Sequence, residues 1–161
     1  MLNEICVFEM ADVVSAQKRS EMMSGIQGKD TKPEILIRKA LHRKGFRYKI
    51  HDKTLPGKPD LVFPKYGAVI QINGCFWHAH NCHLFKWPTT RPNFWKNKIS
   101  GNKERDKRTI KKLQILGWRV LIVRECAIKG KYKRSTDNIV DQICTWLSSG
   151  KAYKDISFKS R

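Results

Sequence analysis

The chain has 161 residues, 40% of them hydrophobic, with 33 Lys or Arg against 14 Asp or Glu and a formal charge of +19. That length suits one domain with a real core, and a cationic field of this size favours a polyanion, nucleic acid being the usual one. The basic residues are spread through a globular pattern with five Trp and seven Phe, which counts against a ribosome-type or membrane-surface protein.

Residues 1–9 carry Glu4 and Glu9 and no basic run, so no signal peptide is expected, and no apolar run approaches the length of a membrane span. The five cysteines form no paired framework, so a reducing cytosol is expected, where clustered thiols more often bind metal than form disulfides. Residues 11–29 are polar, with Lys18, Arg19, Met22 and Met23, and read as an arm or short helix with little core. Thr31-x-x-Glu34 with Pro33 is a capping box opening a helix whose apolar positions are Ile35, Ile37, Ala40 and Leu41; Gly45 closes it. Phe46 to Ile50 alternates as a half-buried strand does. The turn Leu55-Pro-Gly-Lys-Pro-Asp60 delivers Asp60 to the head of a strand ending at Phe63. Residues 64–67 turn the chain into a second strand, Ala68 to Asn73, and the pair makes a β-hairpin.

A polar loop covers residues 74–88. Arg91 to Lys98 reads as a short helix, and after Gly101 comes a very basic helix, Asn102 to Leu116, with Ile110, Leu113, Ile115 and Leu116 on its apolar side. Trp118 to Val123 is apolar enough for a central strand and runs out at Glu125-Cys126. Thr136 to Leu147 is an amphipathic helix anchored by Ile139, Val140, Ile143 and Trp146. With three or four strands before the basic helix and one after it, this is an α/β order with a mixed central sheet flanked by helices.

Three of the five histidines (His78, His80, His83) and two of the five cysteines (Cys75, Cys82) fall between positions 75 and 83. Thiolate and neutral imidazole are the ligands zinc prefers, and packing alone gives little reason to concentrate them. Cys75, His80 and Cys82 supply three ligands. His78 or His83 can serve as the fourth within the loop, but Cys126 is preferred because its strand can run beside Ala68 to Asn73, which pins the loop to the core. Cys6 and Cys144 are left as a free thiol and a helix-face hydrophobe. Asp60 stands at a turn-to-strand junction with a second strand folding back, the geometry of a metal-dependent nuclease hairpin. Mg²⁺ takes oxygen ligands, so two metals with two roles are implied. Alone, Pro-Asp is a weak signal, since most such pairs are plain turns, and the returning strand offers Gln71 and Asn73 where such hairpins usually carry an acid and a lysine. Phe76, Trp77 and Trp95 lie among polar and basic residues, where exposed rings stack on bases or wedge between them.

Leu55-Pro-Gly-Lys-Pro-Asp60, Gly74-Cys-Phe-Trp-His78 with His80 and Cys82, Asn102-x-Glu-Arg-Asp106 and Trp118-Arg-Val-Leu-Ile-Val-x-Glu-Cys126 together resemble the very short patch repair (Vsr) endonucleases, over roughly Ala11 to Leu147. The resemblance implies a restriction-endonuclease-like fold with a zinc-stapled loop, and nicking of DNA 5′ to the thymine of T·G mismatches left by 5-methylcytosine deamination. It implies Asp60 and the main-chain carbonyl of Ile72 as Mg²⁺ ligands, His78 as general acid/base oriented by Asp106, and Glu34 and Asn102 holding water at the metal. Structural zinc falls to Cys75, His80, Cys82 and Cys126. Phe76, Trp77 and Trp95 become the wedge beside the mismatch, and Met23 a minor-groove probe. Ile72-Asn73 departs from the Thr-His of many members; a carbonyl ligand tolerates Ile72, whereas Asn73 removes a titratable group near the metal. Ala79 replaces a frequent His and is given no role.

The expected organisation is an extension and DNA-contacting arm over 1–30, a catalytic endonuclease domain over 31–149 and a tail over 150–161. Met10-Ala-Asp-Val resembles the family's usual start, which makes 1–9 an extension or a misassigned start. The expected partners are mismatched double-stranded DNA and other mismatch-repair proteins, with no membrane, for a monomer in the bacterial cytoplasm associated with the nucleoid. The rival readings are a non-catalytic zinc-stabilised DNA-binding module and a less selective restriction-type nuclease.

Overall fold

The computed structural model describes residues 15–24 and 28–158. Helix α1 (Ala16–Ser24) has a weakly amphipathic sequence and precedes α2 (Lys32–Arg43). Thr31 caps α2 as the sequence requires, its Oγ1 accepting from the Glu34 N–H at 3.4 Å while Glu34 Oε1 accepts from the Thr31 hydroxyl at 2.8 Å. The buried face of α2 is Glu34, Ile37, Ala40 and Leu41; Ile35, expected on that face, is exposed.

Strands β1 (Lys49–Ile50), β2 (Leu61–Phe63) and β3 (Ala68–Asn73) form an antiparallel meander, with a 3₁₀ turn at Pro64–Tyr66 closing the β2–β3 hairpin. The strand expected from Phe46 shrinks to two residues, because Phe46 and Tyr48 turn inward against the rings of Phe63 and Tyr66. The long helix α3 (Pro92–Ile115) follows, then β4 (Arg119–Arg124), the short α4 (Glu125–Ile128), α5 (Thr136–Leu147) and β5 (Tyr153–Ile156). Sheet order is β1-β2-β3-β4-β5, with β3–β4 and β4–β5 parallel, so the sheet is mixed. Strand β5 comes from the stretch expected to be a tail, and Ile156 buries its side chain in the core.

Both faces of the sheet are covered, as the continuous apolar runs of β2 and β4 demand. Leu121 and Val123 of β4 join Ile37 and Leu41 of α2 and Ile139, Ile143 and Trp146 of α5 on one side. Val120 and Ile122 point the other way, to Val62, Val69 and Leu113 of α3. The two expected helices around Gly101 are one helix. Gly101 costs about 1 kcal/mol there relative to Ala, and the buried Ile99 and Asn102 on either side hold the helix through it. Ile115 and Leu116, expected on its apolar side, are 74% and 60% exposed, and Leu113 carries the packing instead.

Candidate active site and metal centre

The parallel pairing of β3 and β4 sets Asn73 opposite Arg124, so the two strands end side by side. The loop leaving β3 at Cys75 and the helix leaving β4 at Cys126 therefore start as neighbours. The ligand atoms of Cys75, His80, Cys82 and Cys126 all lie within 4.8 Å of one another. His80 Nδ1 is 3.6 Å from Cys75 Sγ and 3.4 Å from Cys126 Sγ. Sulfur and nitrogen ligands on a tetrahedral zinc stand about 3.5–3.8 Å apart, so this set fits the ion. Burial pushes the Cys75 and Cys126 thiols up, each crowded by neighbouring thiols, and burial lowers His80. A divalent cation reverses the thiol effect and accepts a neutral imidazole as it stands. The Cys126 N–H points at Cys75 Sγ at 3.3 Å, a further donor to the cluster. His83 is excluded from the set: its ring packs against Tyr132 and Phe158 instead.

Around the other side of the strand end opens a cleft of about 1110 Å³ whose lining includes Glu34, Asp60, Ile72, Asn73, His78 and Asp106. Pairing of β2 with β3 stops at Leu61 and Ile70, so Ile72, which still pairs with Val123 of β4, has no strand partner on its β2 side. Its N–H donates to Asp60 Oδ2 at 2.7 Å. The N–H and C=O of one strand residue leave on the same side, so the Ile72 carbonyl also faces Asp60. Burial pushes the Asp60 carboxyl up to about 6; the Ile72 N–H opposes this and the Glu34 charge adds to it. A half-buried carboxylate with a carbonyl beside it is an oxygen donor set that fits Mg²⁺.

His78 lies between the zinc-type ligands Cys75 and His80 in sequence. Its Nδ1 is 2.5 Å from Asp106 Oδ2, a contact that puts the proton on Nδ1 and leaves Nε2 with its lone pair. Glu34 is 3% exposed and both its oxygens are engaged: Oε2 accepts from the Asp30 N–H and from Arg38, each at 2.9 Å. Asn102 lies outside the cleft lining, its amide donating to the Trp77 carbonyl at 3.0 Å and its Oδ1 accepting from Arg105, so it ties α3 to the loop at His78. Phe76, Trp77 and Trp95 do come together, with ring centroids 5.1, 5.2 and 6.1 Å apart, all half-buried. Phe94 and Phe85 extend the cluster. The backbone of Met23 lies in α1, but its side chain is outside the described residues, as is Cys6.

Three participants escape a reading of the sequence alone. Glu125 accepts the Cys75 N–H at 3.0 Å and pairs with Lys129, fixing the first turn of the loop. Arg38 follows Glu34 at i+4, a spacing that does signal a helical ion pair. His51 reaches the cleft through the β1–β2 pairing, and nothing in the linear order connects it to Asp60.

A mixed sheet with helices on both faces, a carboxylate at the head of a hairpin, a His–Asp pair across the cleft and a cysteine–histidine cluster that could hold a metal are together the features of a nuclease class. The family model described as DNA mismatch endonuclease Vsr matches residues 11–84. The DNA mismatch endonuclease Vsr of Escherichia coli is 45% identical over 138 residues, covering 86% of this chain and 88% of that protein. The type II nicking enzyme V.NmeAIP of Neisseria meningitidis is 44% identical over 122 residues (76% and 87%), and V.XorIIP of Xanthomonas oryzae is 39% identical over 134 (82% and 98%). The chain belongs to the Vsr DNA mismatch endonuclease family, with a restriction-endonuclease-like α/β fold. Among the described residues, no helix is long and apolar enough to cross a membrane.

Proposed function

We propose that this protein is a Mg²⁺-dependent endonuclease that nicks double-stranded DNA 5′ to the thymine of a T·G mismatch arising from 5-methylcytosine deamination, with zinc holding its recognition loop. The observation that carries this reading is one cleft with Asp60 and the Ile72 carbonyl on one wall, the His78–Asp106 pair on another and the Phe76–Trp77–Trp95 cluster at its edge.

Mg²⁺, when bound by Asp60 and the Ile72 carbonyl, supplies positive charge for the scissile phosphate and its attacking water. His78 moves a proton at Nε2, and Asp106 keeps the ring in the tautomer that does so. Glu34 and Asn102 organise the surroundings, Glu34 through its charge beside Asp60 and Asn102 by fixing the peptide before His78. Cys75, His80, Cys82 and Cys126 hold zinc, and with it the loop that carries His78. The aromatic rings wedge at the mismatch, where unstacking costs least, and Met23 reaches the minor groove from the arm. Residues 1–30 serve as that arm, 31–149 as the catalytic unit and 150–161 as the C-terminal segment of a monomer working on the nucleoid, alongside other mismatch-repair proteins.

The test is strand-specific nicking of a labelled duplex with a single T·G pair, with Mg²⁺ and without it, beside a matched T·A control and in several flanking sequences. A Mg²⁺-dependent nick confined to the thymine strand is expected. Binding without a nick in every context, with Mn²⁺ as well, returns the protein to a zinc-stabilised DNA-binding module. Equal cutting of matched duplex makes it a less selective nuclease.

A further inference from the structure

His51 links two walls of the cleft. It follows β1 directly, its N–H donating to the Asp60 carbonyl at 3.3 Å, which continues the strand pairing one step and sets the ring beside the Asp60 carboxylate. Its φ of 47° is left-handed, a region where His is enriched over most residues. The side chain is 22% exposed.

The two ring nitrogens meet different partners. Nε2 is 2.7 Å from Arg38 Nη2, 3.4 Å from Asp30 Oδ1 and 3.7 Å from Glu34 Oε2; Nδ1 is 3.8 Å from Asp60 Oδ1. A guanidinium has donors only. At 2.7 Å two N–H groups cannot face each other, so Nε2 accepts from Arg38 and the ring proton resides on Nδ1, the nitrogen facing Asp60. Arg38 has no freedom to do otherwise: Nη2 also donates to Glu34 Oε2 at 2.9 Å and Nη1 to Asp30 Oδ1 at 2.5 Å. The ligand atoms of Asp30, Glu34 and His51 are close enough together to suggest a cation, but the guanidinium among them occupies that place.

We propose that Arg38 locks His51 in its Nδ1–H tautomer, making His51 a positioning residue that aims an N–H at Asp60 Oδ1. This rests on the metal-binding role proposed for Asp60. The carboxylate is then set from two strands, Oδ2 by the Ile72 N–H and Oδ1 by the imidazole. At 3.8 Å the His51 N–H is beyond hydrogen-bond length, so it orients Oδ1 through its dipole and leaves the lone pair open to a cation.

Two variants separate the nitrogens. The amide of His51→Asn lies near the Nδ1 position and Asn tolerates the left-handed backbone; the amide of His51→Gln reaches towards the Nε2 position. Long-range ¹H–¹⁵N correlation spectra of substrate-free protein are expected to show His51 as the Nδ1–H form in wild type and as the Nε2–H form in Arg38→Met. Calorimetric titration with Mn²⁺ in the absence of DNA is expected to show affinity lowered about tenfold or more in His51→Gln and by no more than about threefold in His51→Asn, the range seen when outer partners of a ligand are lost. Single-turnover nicking should follow the same order, with zinc content, melting temperature and DNA affinity held. An Nε2–H ring in wild type, or Asn and Gln variants with equal Mn²⁺ affinity, overturns the assignment. A wild-type protein with the Nδ1–H ring and the Asn–Gln contrast that nicks no T·G duplex overturns the proposed function and sustains the role of His51.

Discussion

Asp60 is kept ionised at neutral pH against its surroundings. Its carboxyl is pushed up to about 6 by burial, from an ordinary value of 3.8. A folded value above the unfolded one means that the native state holds the proton more tightly. The contribution of this one carboxyl to stability is therefore greatest below pH 4, declines between about pH 4 and 6, and above that is a cost of about 3 kcal/mol. Asp60→Asn removes the charge while its amide oxygen still accepts from Ile72. At pH 7.5 that variant is expected to melt several degrees above wild type, with the difference vanishing below pH 4, and to have lost nicking. Mg²⁺ should raise the melting temperature of wild type and leave the variant unmoved. Melting curves at pH 4, 5.5 and 7.5, with and without the ion, check both signs. At this scale the sequence was partly readable. Asp60, His78 and Asp106 stand in recognisable strings, whereas His51 and Glu125 act through partners that only the sheet brings near them.

At the scale of elements, the parallel β3–β4 pair does most to assemble the site. It brings Cys126 to a loop it follows by some fifty residues, with its N–H pointing at Cys75 Sγ across a separation of 51 positions. The apolar run after Trp118 and the hairpin before it made that adjacency foreseeable. The continuity of α3 through Gly101 was not, because a glycine stop and a tolerated helical glycine look alike without knowledge of which neighbours are buried. Cys126→Ser is expected to lose bound zinc and about 10 °C of melting temperature, as removal of a few kcal/mol of metal-linked stability implies; metal analysis and a thermal scan measure both. An unchanged zinc content would remove Cys126 from the ligand set. For the aromatic cluster, Trp77→Ala should weaken binding to T·G duplex by about 1–3 kcal/mol, the worth of one base–aromatic stack, and weaken matched duplex less. Equal losses on the two duplexes would argue for packing in place of a wedge.

Across the whole molecule the charge is arranged as well as large. Lys103, Lys107 and Lys111 recur every fourth residue on the exposed side of α3, and Lys29, Lys53, Lys58 and Arg105 stand around the cleft. Such residues hold phosphates and register without reading sequence. The logarithm of the binding constant should fall against the logarithm of salt with a slope of about −5, corresponding to about six phosphates; a flat dependence in a filter or anisotropy assay would contradict the phosphate contacts. Composition predicts this electrostatic behaviour almost unaided, because charge is additive along a chain. Packing is not additive: the Phe76–Trp77–Trp95 cluster is built from two separate segments.

The placement of His78 between Cys75 and His80 in the chain has a practical sequel for inactivation. On the proposed two-metal reading a chelator has two routes to silencing this protein, stripping an exchangeable ion at Asp60 within the mixing time or slowly extracting one held among the thiolates. Brief EDTA treatment should be reversed by added Mg²⁺ alone, whereas prolonged treatment should require zinc and a reductant as well. Oxidants and alkylating agents arrive at the second route without chelating anything. On that reading, electrophiles that modify these thiolates also act on the segment that carries His78.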